Sequence, residues 1–395
     1  MPAAPLRPIA LPGTGASTGS TNSSLPTIGV EEEFLLLDPA TGLPVPVAGP
    51  VLSRAKLVGT AGEAALQTEV LRSQVETATP VCSGLGEVLS SLNGSRRALA
   101  VAAAHHHVDL AAVGAAPNCH LEQPVTQSTR YLAMRRQAPA LLDEQLVNGM
   151  HVHVEVPSRE VGVDVMNRLR PYLPVLLAFS ANSPVWRGRD TGFSSWRAVH
   201  TQRWAVEGPP PRFVDVADHD RQVAALVRTG AILDVGMVYW QVRLSERNPT
   251  VEVRVADVAP DVPGAAAFAG LVRGLVVEAF ADGRAGRPCP DPPAALLRAA
   301  SWQAARSGLD GELPVPSSLA DGTVRMEPAA SVLRELAARC ADHVGADGDL
   351  LVDLVGSVLK RGNGAQRQRE ALARGGLPAL VRLVRQASTA LGPQE

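Results

Sequence analysis

Three short stretches alternate apolar and charged residues, and alternation is the signature of an extended strand, on which residues two apart share a face. In Thr27-Ile-Gly-Val-Glu-Glu-Glu-Phe-Leu-Leu-Leu-Asp38, the residues Ile28, Val30, Phe34 and Leu36 point one way and Glu31 and Glu33 the other. Glu32 falls on the apolar side, against the pattern. Gly149-Met-His-Val-His-Val-Glu-Val156 places His151, His153 and Glu155 opposite Val152, Val154 and Val156. Thr250-Val-Glu-Val-Arg-Val-Ala-Asp257 places Glu252 and Arg254 opposite Val251, Val253 and Val255. Strands that are apolar on one side and carry Glu, His or Arg on the other predict a curved sheet. Its concave face would line a cavity.

Such a cavity has an electrostatic problem. Two carboxylates about 4 Å apart repel by roughly 4 kcal/mol at an effective dielectric near 20. A hard divalent cation with oxygen ligands offsets that repulsion. Glu31, Glu33, Glu76, His151 and Glu252 around one cavity suit Mg²⁺ or Mn²⁺ better than structural zinc. More carboxylates than one ion needs predict two or three ions. With Arg243 and Arg254 beside them, the set resembles the apparatus of phosphoryl transfer, in which arginines grip phosphate or carboxylate in a bidentate fashion.

Composition narrows the alternatives. The 395-residue chain has a net charge of −2 and no basic block, which argues against a nucleic-acid partner. Lys56 and Lys360 are its only lysines, so a P-loop is excluded and any phosphate clamp must be built from arginine. Cys82, Cys119, Cys289 and Cys340 are far apart and form no Cys-x-x-Cys pair, as expected of reduced thiols in a cytoplasmic protein. No segment has the length and apolarity of a membrane span or the pattern of a secretory signal, so no membrane association is expected. No Ser or Cys with a partnered His is evident, which disfavours acyl-enzyme chemistry.

Residues 1–26, rich in Pro, Gly, Ser and Thr, are expected to be a disordered tail. A catalytic sheet domain over 27–285, a Pro-rich linker at 286–293 and a helical region over 294–395 packed on the sheet domain complete the organisation. Helices are predicted near 294–307, 329–344, 348–360 and 376–390, and earlier over Cys82–His106, Arg130–Gln145, Val165–Ala181, Arg221–Thr229 and Ala265–Phe280. Gln67–Pro80 reads as a strand with Gln74 and Glu76 on one face and Glu69 near its entrance, and Val108–Val113 as a short buried strand. His105-His-His107 reads as a surface tract, because consecutive residues point in different directions and one ion cannot readily use all three. The loop Ser180–Arg197 is too polar and Gly-rich for core and reads as a functional loop, a natural lid.

Five motifs in order carry a family resemblance. Gly29-Val-Glu-Glu-Glu-Phe, Gln74-Val-Glu-Thr-Ala-Thr-Pro80, Asn148-Gly-Met-His-Val-His-Val154, Ser180-Ala-Asn-Ser-Pro184 with Asp190-Thr-Gly192, and Thr250-Val-Glu-Val-Arg254 resemble the carboxylate-amine ligase family, also called type 2 glutamate–cysteine ligase, of the glutamine synthetase superfamily. Gly362-Asn-Gly-Ala-Gln-Arg-Gln-Arg369 extends the match. The stretch Gly114-Ala-Ala-Pro-Asn-Cys119 departs from it, lacking the Thr-His-Pro expected there.

The resemblance implies an α+β fold: a glutamine synthetase-like curved, mainly antiparallel sheet flanked by helices, with a helical C-terminal region. It implies an ATP-dependent carbon–nitrogen ligase that forms an amide through an acyl phosphate, plausibly by γ-glutamyl transfer. Small-molecule carboxylate and amine substrates and a homodimer go with it. By position, Glu31, Glu33, Glu69, Glu76, His151 and Glu252 match metal ligands. Arg254 and Arg243 match the catalytic arginines and, with His153, the contacts of ATP phosphate. Arg187, Arg197 and Asn182 are candidates for substrate. A specialised-metabolite amide synthetase, a guanidino or amine phosphotransferase on the same fold, and a non-catalytic ligand-binding protein are the competing expectations.

Overall fold

The computed structural model describes residues 25–58, 64–119 and 122–389. The expected disordered tail therefore lies, but for Leu25 and Pro26, outside the described residues. The organising element is a seven-stranded sheet with strands β1 (Ile28–Leu37), β2 (Ala65–Thr68), β3 (Gln74–Ala78), β4 (Asp109–Ala111), β5 (Gly149–Glu155), β6 (Val242–Leu244) and β7 (Thr250–Asp257). Their order is β6-β7-β5-β1-β3-β2, with β4 also pairing β1, and every pairing is antiparallel.

β1 lies at the centre for a reason visible in its residues. Ile28 and Val30 face the main apolar core, which Val152, Val154, Val251 and Val253 also enter. Beyond Glu33 the strand is buried on both faces. Phe34 and Leu36 pack with Val51, Leu99 and Leu110 in a second cluster, while Leu35 and Leu37 join the main core. Glu32, the break in the alternation, is fully buried on the apolar side. Arg96 reaches it from the Leu85–His105 helix, its Nε donating to Oε2 at 2.9 Å, and Nη2 also donates to the Ala259 carbonyl at 2.9 Å. A buried charge with its lone pairs filled is tolerated where a bare one is not. The Glu32 carboxylate thus fastens sheet to helix.

The alternation of β7 ends at a bulge. Its register against β5 shifts between Val253 and Ala256, and the Arg254 amide turns to the Gln241 carbonyl at 2.8 Å. Bulges bend a strand and re-aim side chains. Val255, expected on the apolar face, consequently lines the same cleft as Arg254.

Several expected elements are cut by local chemistry. Gln67–Pro80 is a hairpin of β2 and β3, not one strand, and Glu69 sits in its turn. Arg130–Gln145 is two helices, Thr129–Gln137 and Pro139–Asp143, because Pro139 lacks the N–H to continue the first. The helix expected over Val165–Ala181 starts earlier, capped by Ser158, and breaks near Pro171 and Pro174 into Arg159–Leu169 and Leu173–Ser180. The longer C-terminal helices are Ala294–Ser307, Ala329–Ala341, Gly348–Arg361 and Gly364–Thr389, the last kinked at Gly375 and Gly376, where the backbone leaves the helical region. One core holds Val152 of the sheet together with Ala304, Leu333 and Leu351 of those helices. The 286–293 segment is tied down, Arg168 donating to the Arg287 carbonyl at 2.9 Å and Arg170 pairing with Asp291 at 2.8 Å.

Val262–Arg284 has the length and apolarity of a membrane span, but 78% of its most apolar window is buried inside the protein, as in a core helix. All four cysteines are free, Cys82 and Cys340 buried.

Candidate active site

The strand register stacks the charged residues across one face. Glu31 lies opposite His151, Glu33 opposite Glu76, Glu252 opposite His153 and Arg243 opposite Glu252. Directly opposed residues share a face about 5 Å apart, so pairing alone builds a continuous polar row on five strands. Gln67 of β2 ends the row, its Nε2 donating to Glu76 at 2.6 Å.

Within the row His151 Nδ1 is 3.1 Å from Glu31 and 3.8 Å from Glu252, and its Nε2 is 3.9 Å from Glu33. His153 Nε2 is 3.4 Å from Glu31, and its Nδ1 contacts Thr250 Oγ1 at 3.0 Å. Two groups of potential ligand atoms converge: Glu31, Glu76 and His151, and Glu31, His153 and Glu252, each set lying within 4.8 Å. Carboxylate oxygens with an imidazole nitrogen form the donor set of Mg²⁺ or Mn²⁺, and Glu31 is shared between the groups, as in a paired-ion site.

Charge is unevenly distributed. Burial opposes ionisation throughout, but His153 and His151 hold the Glu31 carboxyl well below the usual range, and Arg243 and Arg254 do the same for Glu252. On the other flank such help is outweighed. Burial, then the carboxylates of Glu31, Glu69 and Glu33, push Glu76 well up; burial and Glu33 push Glu69 to about 7. His151 is pushed down by burial and Arg254, whereas the carboxylates of Glu31 and Glu252 overcome burial at His153 and push it up. Surplus carboxylates that hold protons mark the flank where a cation's charge fits.

The row opens into a cleft of about 840 Å³, whose floor includes Glu33, Glu69, His151 and Arg254. Arg254 lies against Glu252 and at 3.3 Å from His151 Nδ1. Arg243 lies deeper, held in a fork to Glu252 at 2.8 and 3.3 Å with a further bond to the Val238 carbonyl at 3.1 Å. Glu33 accepts from the Gly149 amide at 2.6 Å. Gly149 is required by the geometry on its other side too, because a Cβ there would meet the Arg197 guanidinium at 2.4 Å.

The three expected substrate residues part company. Arg197 lines the cleft, its Nη2 donating to the Arg254 carbonyl at 3.3 Å. Arg187 does not line it: it sits in the Val185–Trp186/Arg189–Asp190 hairpin with a positive φ of 53° and pairs with Glu144 at 3.0 Å. Asn182 is buried, its Nδ2 donating to the carbonyls of Ala112 at 2.9 Å and Val258 at 2.8 Å. These bonds occupy it in the fold and not at a substrate. Nor is the 180–197 loop a surface lid. Asp257, fully buried, accepts from the Asn182 amide at 2.8 Å, Ser183 Oγ at 2.6 Å and Ser195 Oγ at 2.8 Å. Part of the loop's polarity is internal, a knot tied at the end of β7, while Arg187, Arg189 and Asp190 stay exposed.

Nothing in the sequence pointed to the wall opposite the strands. Trp204, Glu207 and Tyr239 line the cleft there, and a two-residue parallel pairing of Glu207 with Tyr239 and Gly208 with Trp240 brings them together. Glu207-Gly-Pro-Pro-Pro-Arg212 reads as a rigid turn and Tyr239–Leu244 as a short strand, and neither tells which way the Glu207 carboxylate faces. The His105–His107 tract caps a helix end, with His105 and His107 exposed. Gly362–Arg369 is a helix boundary: Gly362 takes a φ of 81°, and Asn363 and Gln366 cap the start of the last helix.

Known proteins resemble this chain in sequence and in fold. The family described as glutamate-cysteine ligase family 2 (GCS2) matches residues 27–387. A protein of Salinispora tropica named "Putative glutamate--cysteine ligase 2" is 45% identical over 352 residues, 89% of this chain and 91% of its own length. A Nocardia farcinica protein of the same description, numbered 2-1, is 43% identical over 350 residues, 88% of either chain. Among solved structures, the glutamate–cysteine ligase of Francisella tularensis in complex with AMP superimposes with a TM-score of 0.64, at 12% identity, over 93% of this chain and 89% of that one. The ligase PafA in complex with the prokaryotic ubiquitin-like protein Pup gives 0.52, at 15% identity, over 92% and 73%. Those identities speak for a shared fold. The match to the family over nearly the whole chain speaks for more: the protein belongs to glutamate–cysteine ligase family 2, a family of ATP-dependent carbon–nitrogen ligases.

Proposed function

We propose that the protein joins the γ-carboxylate of a glutamate-like acid to an amine, with ATP consumed through an acyl phosphate. The observation that carries this reading is the polar row: two carboxylate–imidazole groups sharing Glu31, with Arg254 beside them on a cleft floor. A carboxylate is a poor acyl donor until one of its oxygens is phosphorylated. In the first step a carboxylate oxygen attacks the γ-phosphorus and ADP leaves. In the second the amine nitrogen attacks the acyl carbon, phosphate leaves, and the nitrogen loses a proton.

Glu31, Glu76 and His151 would hold one divalent ion, and Glu31, His153 and Glu252 a second. Bound there, Mg²⁺ or Mn²⁺ supplies charge neutralisation for the phosphate oxygens. The chain's own residues do the rest. Arg254 is placed to donate to oxygens on which negative charge develops. Arg243 holds the Glu252 carboxylate in place, so its role is positioning. Arg197 offers a guanidinium to a substrate carboxylate in the same cleft. The walls of Trp204 and Val255 exclude water that would hydrolyse the acyl phosphate.

An ADP-release screen crossing amino acids with amines, read out by product mass, tests the reading, with L-glutamate and L-cysteine as the first pair. Amide formed in step with ADP is the expected result. ADP released with a phosphorylated amine and no amide would replace the ligase with a phosphotransferase. Equal turnover in a strong chelator would remove the metal groups from the mechanism.

A further inference from the structure

Glu207 is a buried charge the mechanism above does not use. It comes from the wall opposite the sheet and lines the cleft that holds Glu33, His151, Arg254 and Arg197. Its Oε2 is buried and has no hydrogen-bond partner among the described residues. Burial lifts its carboxyl to about 7, and the nearby Arg197 guanidinium lowers it only in part. Arg197 is itself directed at Asp257, 3.9 Å away, and at main-chain oxygens. Trp204 and Tyr239 stand on the same wall with ring centroids 5.9 Å apart, near perpendicular at 70°.

A buried acceptor without a donor costs about 1–3 kcal/mol, and a structure that keeps one in a ligand cleft holds a place for a donor. An ammonium group brings three N–H donors and a positive charge and is also attracted to aromatic faces. A guanidinium in the same cleft suits a carboxylate. One acid and one base in a single cleft, neither spent on the other, together form the complement of a zwitterion.

We infer that Glu207 is a specificity-determining residue, its carboxylate taking the ammonium of an α-amino acid whose α-carboxylate lies on Arg197. This rests on the ligase reading for its chemistry and adds the residue that recognises the donor's ammonium and so separates glutamate from a simple dicarboxylate. The side-chain carboxylate of that amino acid is then the one left to face His151 and Arg254. A site built to bond a polar group rejects the analogue that lacks it more strongly than an apolar pocket rejects a missing methylene.

The test compares L-glutamate with glutarate, its counterpart without the amino group, as donor to L-cysteine in wild type and Glu207→Gln. Wild type is expected to prefer L-glutamate in kcat/KM by about 30- to 300-fold. Glu207→Gln should shrink that ratio to within about threefold, through the KM of L-glutamate, and leave the KM of ATP unchanged. Calorimetric titration of the two acids into each protein gives the same ratio without turnover, and an unchanged melting temperature shows the variant folded. If wild type binds L-glutamate over glutarate yet releases no ADP, the ligase reading fails and the assignment of Glu207 stands. A wild type that binds neither acid, or a variant that keeps the wild-type ratio, overturns the assignment.

Discussion

Two buried polar centres touch β7, one through Glu252 and one through Asp257, and they are built on opposite rules. Around Asp257 every partner is present: one carboxylate, two hydroxyls, an amide N–H and a guanidinium, with Asn182 beyond them bonded on all sides. Around Glu31 and Glu76 carboxylates outnumber their donors, and two of them are pushed toward neutrality. A saturated network specifies a fold, whereas an unsaturated one pays a standing cost that only a ligand repays. The pair Glu32 and Glu31, neighbours in sequence, repeats the contrast on the two faces of one strand. Glu32 is closed off by Arg96, whereas Glu31 meets the imidazoles of His151 and His153 and stays partly exposed.

Substitutions sharpen the contrast in graded steps. Asp257→Ala strands three donors and frees the Arg197 loop, so it should lower unfolding free energy by about 3–5 kcal/mol in denaturant titration. A loss below about 1 kcal/mol would show that the knot is ornamental. Glu31→Gln should slow ADP formation by at least about a hundredfold, equivalent to about 2.7 kcal/mol of barrier, with a loss of melting temperature well short of that in Asp257→Ala, since His153 and His151 favour the ionised carboxylate. A melting point that collapses as in Asp257→Ala would move Glu31 to the structural side.

A third step uses pH. The folded protein holds the Glu69 proton up to about 7 against an ordinary value of 4.5, so stability declines as pH climbs through that window. Glu69→Gln, neutral throughout, should therefore gain about 1–3 kcal/mol over wild type at pH 8 in chelator and almost nothing at pH 4. A gain of equal size at both pH values would contradict the assignment of strain to ionised Glu69. The smallest effect belongs to the His tract: replacing His105, His106 and His107 with Gln should change stability by less than about 0.5 kcal/mol and leave the metal dependence of turnover as it was. A shifted metal optimum would reinstate the tract as a ligand site.

What could be read in advance follows the range of the forces involved. Strand alternation is a local property, so the shared face of Glu31 with Glu33, of His151 with His153, and of Glu252 with Arg254 was legible in single stretches. The helices at 294–307, 329–344 and 348–360 were legible too, because their apolar spacing and breakers lie within each segment, whereas the last was expected only from 376 and its first half, from Gly364 to the kink at Gly375, was missed. The partners that decide each charge's role are not local. Arg96 meets Glu32 across 64 residues and Gln74 meets Asn148 across 74. The Asn182 side chain was misjudged because loop polarity looks the same whether it faces water or a buried aspartate. Glu207 was missed because a two-residue bridge between distant loops sets its direction.

The latch on the Arg197 loop has a temporal consequence. Gln368 donates to the carbonyl and side chain of Asn182 at 2.8 and 2.6 Å across 186 residues, and Gly364 approaches so closely that a Cβ there would meet Asn182 Oδ1 at 1.9 Å. During synthesis, every proposed ion ligand therefore emerges from the ribosome long before the brace for the loop that carries Arg197. A nascent chain halted ahead of Asn363 should bind Mg²⁺ and yet join nothing, which makes the last helix the step at which a folded sheet becomes an enzyme.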